Sequence, residues 1–233
     1  MSFSDCMDLG HSLREQSLFE DAEQAFREAI EHQPESLDAW FYLGNVLRYQ
    51  DRPCEARSAY RKALERDRFD PPTWHNLGIS LADLGDWAGS ARADRKSIQY
   101  GPSEEAWYCL GLSLIKLEKY SGAEAAFREA LEHNYNSPLA WLFMGDTLRY
   151  RGLHARAENE YLKSLDLDSS NPDAWNKLGI SLELQGRHPE AIEAYFEAAA
   201  RDPEWCLPWN NLGMSRERER LYPEARCAYQ QSI

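Results

Sequence analysis

The 233-residue chain has no apolar run near the ~18 residues needed to cross a membrane. Its opening, MSFSDCMDLG, has neither the basic stretch nor the apolar stretch of a secretory signal. Positive charge is in short supply: 26 Lys and Arg stand against 39 Asp and Glu, a net charge of −13. A surface of that sign repels nucleic acid and anionic lipid, so neither is an expected partner. Cysteine is sparse and unpatterned. Cys6, Cys54, Cys109, Cys206 and Cys227 are odd in number and form no C-x-x-C. That argues against a disulfide framework or a zinc site, and predicts reduced thiols in a cytoplasmic setting. There is no G-x-S-x-G, no H-E-x-x-H and no phosphate-binding glycine loop. The histidines His11, His32, His75, His133, His154 and His188 are scattered, without the spacing of a metal pair. The residues predict no enzyme, no cofactor and no metal site.

What the chain does have is repetition. AFREAIEH at 25–32 returns as AFREALEH at 126–133, 101 positions later. This echo sits on a shorter period. Trp40, Trp74, Trp107, Trp141, Trp175 and Trp209 follow one another at 34, 33, 34, 34 and 34 residues. Each opens one phrase: WFYLG, WHNLG, WYCLG, WLFMG, WNKLG, WNNLG. Cys6, 34 positions before Trp40, opens CMDLG. Seven copies therefore begin near residues 3, 37, 71, 104, 138, 172 and 206, and together span 3–233. Numbering each copy from 1, slot 4 is Trp (Cys once), slot 7 Leu or Met, slot 8 Gly, and slot 11 Leu in six copies. Slot 20 is Ala or Ser, slot 24 is aromatic in six copies, and slot 27 is Ala or Ser.

Slots 4, 7, 8 and 11 share one helical face, and so do 20, 24 and 27. Short Gly- and Pro-rich stretches such as LADLGDW and LQGRHP separate them, with Pro189 and Pro223 at the opening of a second helix, where a missing N–H is harmless. Each copy reads as a helix–turn–helix. Gly at slot 8 and Ala at slot 20 are expected to let the helices close around the Trp, which is read as core. One hairpin cannot bury this face, whereas stacked hairpins can.

The pattern W-x-x-L-G-x-x-L…A-x-x-x-Y/F-x-x-A at this period resembles the tetratricopeptide repeat (TPR) family over essentially the whole chain. The resemblance implies an all-α fold, a right-handed α-solenoid of seven stacked antiparallel hairpins. The longer echo, which also returns LRY (47–49 and 148–150), suggests duplication of a three-hairpin unit, 3–103 and 104–205. The array carries no polar capping helix at either end. The expectation is a fragment of a longer protein, or terminal hairpins covered by a partner.

Copy 3 departs from the pattern. Its slot 24 is Asp94, its second helix carries Gly89 and Ser97, and its link to copy 4 is one residue short. A buried, unpartnered carboxylate is costly. Asp94 is therefore expected to be exposed or paired with a nearby Arg or Lys, with Trp87 refilling the lost ring volume.

In the family, first helices line a concave groove that holds a peptide or helix of a partner. The resemblance places Tyr42, Asn45, Arg48, Tyr49, Asn76, Tyr108, Phe143, Asp146, Arg149, Tyr150, Lys177 and Asn211 in that groove. The carboxylate clamp of chaperone-binding arrays needs basic residues at slot 2. Here slot 2 is Ser4, Asp38, Pro72, Glu105, Leu139, Asp173 and Leu207, which excludes it. The asparagine ladder of the protein O-linked sugar transferases keeps only Asn76 and Asn211. The duplicated pairs Arg48–Tyr49 and Arg149–Tyr150 are expected to face one concavity and to hold an acidic–aromatic or acidic–aliphatic peptide. The competing expectation is that both arginines pair with neighbours such as Asp146. The overall reading is a non-catalytic protein-interaction scaffold. Its rivals are a substrate-selecting or regulatory arm of a larger enzyme, such as a glycosyltransferase, continuing past residue 233, and a scaffold that self-associates through uncapped ends.

Overall fold

A computed structural model describes residues 1–231; Ser232, at slot 27 of the seventh copy, and Ile233 lie outside the described residues. The described residues form fourteen α-helices and no strand. Their contacts divide the chain into two compact units that meet in sequence at Glu118/Lys119, inside the fourth copy.

The first unit contains α1 (Phe3–Glu15), α2 (Phe19–His32), α3 (Leu37–Tyr49), α4 (Pro53–Arg66), α5 (Pro71–Asp83), α6 (Trp87–Tyr100) and α7 (Glu104–Lys116). Here α1/α2, α3/α4 and α5/α6 are antiparallel hairpins stacked in chain order, and α7 packs on α6. The second unit contains α8 (Tyr120–His133), α9 (Pro138–Tyr150), α10 (His154–Leu167), α11 (Pro172–Leu184), α12 (His188–Arg201), α13 (Cys206–Arg218) and α14 (Tyr222–Gln231). There α8 packs on α9, and α9/α10, α11/α12 and α13/α14 are the hairpins. Each unit is an all-α solenoid.

Local chemistry sets the helix ends. Ser2, Ser36, Asp70, Ser103 and Asn171 each cap a first helix by accepting from a backbone N–H in its opening turn. The turn to the second helix passes through slot 15, which is left-handed in every copy. Gly85, Gly152 and Gly186 take φ near +76°, and Ser17, Asp51, Glu118 and Arg220 are held there too, at φ 56–61°. Glycine thus marks this slot in three copies only, and the other four reach the same turn against their intrinsic preference.

The reason for the slot-8 glycine differs from expectation. It is the slot-24 ring that lies against it, not the Trp. A Cβ on Gly44 would stand 2.5 Å from Tyr60, on Gly145 2.5 Å from Tyr161, and on Gly179 2.6 Å from Tyr195. Phe26, Tyr60, Phe127, Tyr161 and Tyr195 are the largest fully buried side chains. They form the hairpin core with Ala at slot 20 and Ala, or Ser164 in the Tyr161 hairpin, at slot 27.

The tryptophans, expected as core, are half-buried except Trp141, which is 7% exposed. Their indole N–H donates to the carbonyl six residues back: Trp40 to Pro34, Trp74 to Arg68, Trp141 to Tyr135, Trp175 to Ser169 and Trp209 to Pro203, at 2.8–3.1 Å. Each Trp therefore ties the incoming inter-hairpin loop to its first helix. Trp107 is the exception, with a buried Nε1 that has no acceptor. The loop before α7 has three residues where the other inter-hairpin loops have four, so no carbonyl falls in reach. Because Trp141 is also covered by Tyr135 and by Lys163 Nζ at 4.2 Å from its ring, Trp141→Ala should cost near the upper end of the ~3–5 kcal/mol typical of buried Trp truncation. Trp209→Ala should cost clearly less. Equal losses in urea melts would contradict this.

Asp94 corrects a second expectation. It is neither exposed nor paired with Arg or Lys. It is fully buried at 0% exposure, points at Gly78 as the rings do at their glycines, and faces His75, with Oδ1 3.5 Å from Nδ1. Burial raises its carboxyl above the ordinary value, opposed by His75 and Ser90. Trp87 does not replace the missing ring. It lies beside Lys116 Nζ at 5.7 Å, an arrangement shared with copies 1 and 4, where the slot-17 ring meets slot 13 of the next copy: Phe19 stacks on Tyr49 at 5.2 Å and Tyr120 on Tyr150 at 5.3 Å. A buried Ser90 Oγ···Ser113 Oγ bond of 2.9 Å joins α6 to α7.

Candidate functional site

In each unit the first helices share one face, and the candidate residues divide between the two. The first unit holds Tyr42, Asn45, Arg48, Tyr49, Asn76 and Tyr108; the second holds Phe143, Asp146, Arg149, Tyr150, Lys177 and Asn211.

In the second unit the polar groups are engaged with one another. Asp146 is buried, accepts from Tyr161 Oη at 2.9 Å and Lys177 Nζ at 2.5 Å, and has Arg149 Nη2 at 3.4 Å. Arg149 Nε donates to Tyr161 Oη at 3.3 Å, and its guanidinium lies over Tyr150, 4.5 Å from the ring centre. Lys177 also pairs with Asp173 at 3.0 Å and sits 5.1 Å from the Phe143 ring centre. Two cations thus meet two carboxylates, and the cluster is close to neutral. Asn211 donates to the buried Asn176 at 2.9 Å, so its amide is committed within the fold.

The first unit has the same slots and a different balance. Slot 9 is Asn45 where the second unit has Asp146, and its Oδ1 accepts from Tyr60 Oη at 2.7 Å. A neutral amide cannot compensate a guanidinium. Arg48 forms no ion pair among the described residues; its guanidinium interacts with the Tyr60 hydroxyl, yet its Nε is buried without an acceptor in bonding geometry, whereas the matching Nε of Arg149 has one. Arg48 lies 5.7 Å from the Tyr49 ring centre, and Tyr49 is 58% exposed. The Asp83 carboxyl is pushed up by burial, with Arg48 pulling it down, so Asp83 lies within the field of Arg48 without being bonded to it. Tyr42 is stacked on Phe26 and edged by His11, with Arg14 5.2 Å from its ring centre. Asn76 Nδ2 donates to the Pro72 carbonyl of its own helix at 2.9 Å.

His75, Asp94 and Cys109 invite a nucleophile reading, which the electrostatics oppose. Burial first, then Asp94, push the Cys109 thiol up to about 12, so it stays protonated, the reverse of an activated cysteine. Tyr108 is likewise pushed up to about 12 by burial. Among the described residues no group of His, Cys, Asp and Glu is arranged to hold a metal, and no helix is long and apolar enough to cross a membrane.

Three features escaped the sequence reading. The slot-17 to slot-13 ring stacking is visible as aromatic recurrence at slot 17 (Phe19, Trp87, Tyr120, Tyr222), but not as a pairing. The His75–Asp94 contact would follow from noticing that both odd residues of copy 3 belong to one hairpin interior. The third is slot 10, buried in copies 2 to 7 and hydroxylic in five of those: Ser80, Ser113, Thr147, Ser181 and Ser215.

A sequence model for the tetratricopeptide repeat matches residues 7–71, 75–138, 108–172 and 142–204. No curated protein matches the sequence. Among solved structures, YrrB, a TPR protein described as having an unusual peptide-binding site, is 24% identical, with 80% of this chain and 96% of that chain covered and a TM-score of 0.69. A tetratricopeptide repeat protein from Parabacteroides merdae is 18% identical over 99% of this chain and 91% of its own, with a TM-score of 0.78. PilF of Pseudomonas aeruginosa is 20% identical over 94% of this chain and 96% of its own, with a TM-score of 0.75. Likeness at these identities shows the fold.

Proposed function

Because the chain belongs to the tetratricopeptide repeat family, we propose that it is a non-catalytic protein-interaction module whose first-helix face in the first unit binds an extended acidic segment of a partner. One observation carries the reading. Arg48 and Arg149 stand at slot 12 of copies 2 and 5, three copies apart, but Arg149 is neutralised by Asp146 while Arg48 has Asn45 in that place and a buried Nε without an acceptor. A buried N–H without a partner is costly, and a ligand carboxylate, met by the planar fork of a guanidinium, removes that cost. The exposed Tyr49 and the half-buried Tyr42 supply rigid area beside it for an aromatic or aliphatic side chain. The peptide-binding site ascribed to YrrB supports the class of ligand. On this reading Arg149, Asp146 and Lys177 stiffen the second unit, and the 101-residue echo is a duplication whose halves diverged at slot 9. Ordering of a flexible ligand holds affinity to roughly the micromolar range.

Peptides selected from a random display library on the intact chain should be enriched in Asp and Glu next to an aromatic or aliphatic residue. A basic or charge-free consensus would remove this reading.

A further inference from the structure

The second helices build another face, and one crease on it differs from the rest. Creases open between consecutive second helices, floored by the first helix between them. The crease between α2 and α4 has a volume of about 520 Å³, and that between α10 and α12 about 570 Å³. The crease between α4 and α6 reaches about 830 Å³. Its floor is apolar, formed by Leu64, Trp74, Leu77, Leu81 and Ala93.

Two local causes open it. An ion-pair strap closes both of the smaller creases: Glu23–Arg52 at 2.6 Å crosses from α2 to the start of α4, and Glu158–Arg187 at 2.6 Å from α10 to the start of α12. At the same slots between α4 and α6 stand Arg57 and Asp86, and Asp86 instead caps α6 by accepting from the Gly89 N–H at 2.8 Å. The α6 wall also carries Gly89 at slot 19, where α4 and α12 have Glu55 and Glu190.

Charge sets the crease apart as well. Arg61, Arg92, Arg95 and Lys96 line it and form no ion pair among the described residues; Arg95 reaches the Ala91 carbonyl at 3.5 Å, and Lys96 the Gln99 side chain at 2.9 Å and the Tyr100 ring, 5.5 Å from its centre. The one acidic residue of α6 is the buried Asp94, so the exposed surface of that helix carries only cations. The α10/α12 crease, by contrast, is lined by Glu158, Glu190, Glu193 and Glu197 with Arg187. Two carboxylates also line the crease, Glu65, which pairs with Lys62 at 3.0 Å, and the capping Asp86; in a chain of net charge −13, four cations without ion pairs around an apolar trough are still a local inversion of sign.

We infer that this crease is a second docking site, independent of the Arg48 face, for an acidic amphipathic helix of a partner protein. Apolar residues at i, i+3, i+4 and i+7 of such a helix fit the trough, and its flanking Glu or Asp meet the arginines on the rim. Complementary charge selects the acidic ligand and speeds its capture against the repulsion of the acidic whole.

The test uses the full chain and two fluorescein-labelled synthetic helices with one apolar stripe. One carries Glu at every polar position and the other Lys. The Glu helix should bind in fluorescence anisotropy with micromolar affinity and weaken as salt rises. The Arg92→Glu/Arg95→Glu variant, altered only at exposed positions, should weaken it at least tenfold while its circular dichroism and melt match wild type. Arg48→Ala should leave it unchanged, which separates this site from the first-helix face. Equal binding of the Lys helix, no loss in the double variant, or loss with Arg48→Ala would overturn the proposal. So would a concentration-dependent dimer that the double variant abolishes while the Glu helix fails to bind, which would assign the crease to a second copy of the chain.

Discussion

Replacing Tyr161 by Ala should remove about 3–5 kcal/mol of stability, the range for losing a buried aromatic ring, and should do so through the second unit. The ring is fully buried, and its edge fills the space that the missing Cβ of Gly145 leaves open. Its hydroxyl donates to Asp146 and accepts from Arg149, so truncation opens a cavity and takes a donor from a buried carboxylate in one step. Tyr161→Phe keeps the ring and isolates the second effect, expected at about 1.5–3 kcal/mol because the bond is to a charged group. A urea melt followed by circular dichroism, with hydrogen exchange to locate the loss in α9 to α11, measures both. A loss under 1 kcal/mol for the Ala variant would show that the slot-24 ring is not the core of the hairpin.

Asp94→Phe should act in the opposite direction. Six copies place an aromatic ring at this slot; here a carboxylate occupies it, buried beside Gly78, with only the long 3.5 Å approach of His75 Nδ1 and the weak pull of Ser90 to offset its burial. Substituting the ring removes a desolvated charge and buries apolar surface worth about 1.5–3 kcal/mol. Stabilisation of at least 2 kcal/mol at neutral pH, with slower exchange in α6, is the expected result; destabilisation would mean that the His75–Asp94 pair holds the hairpin together. The pH dependence gives a separate check. Burial raises the Asp94 carboxyl above its ordinary 3.8, so the folded state takes up a proton at a pH where the unfolded chain has already lost it. The folded state then binds more protons, and stability relative to Asp94→Asn must rise as pH falls through the window just above 3.8 and decline as pH climbs out of it. A flat difference between wild type and Asp94→Asn across that window would contradict the assignment.

The repeat period made the helix hairpins legible, because a face that recurs at fixed slots has to be buried against its own copies. The division of labour within that face was less legible. Trp and the slot-24 ring are both large and both periodic, and sequence periodicity cannot tell a ring that fills a hairpin from one that ties down a loop. The distinction appears only in the indole bonds to Pro34, Arg68 and Tyr135, which depend on loop length. Asp94 was legible as an anomaly. Its outcome was not, since rarity argues against a buried carboxylate and only the placement of His75 shows how this one is accommodated. The proposed recognition face was legible as a set of slots. Which arginine has an ion pair turns on one difference, Asn45 in one unit and Asp146 in the other, whose effect passes through three-dimensional neighbours such as Tyr161 and Lys177.

That asymmetry is the centre of the account, and one titration tests it. A display-selected acidic peptide is measured by isothermal calorimetry against wild type, Arg48→Ala, Arg149→Ala and Asn45→Asp, each checked by its melt. Arg48→Ala should weaken binding at least tenfold, about 1.4 kcal/mol. Asn45→Asp, which places a carboxylate where Asp146 stands in the second unit, should weaken it comparably with Arg48 still present. Arg149→Ala should lower the melt and leave the affinity within twofold. Equal losses for Arg48→Ala and Arg149→Ala, or unchanged affinity in Asn45→Asp, would show that the two slots are equivalent and that neutralisation by Asp146 does not decide which one recognises the partner.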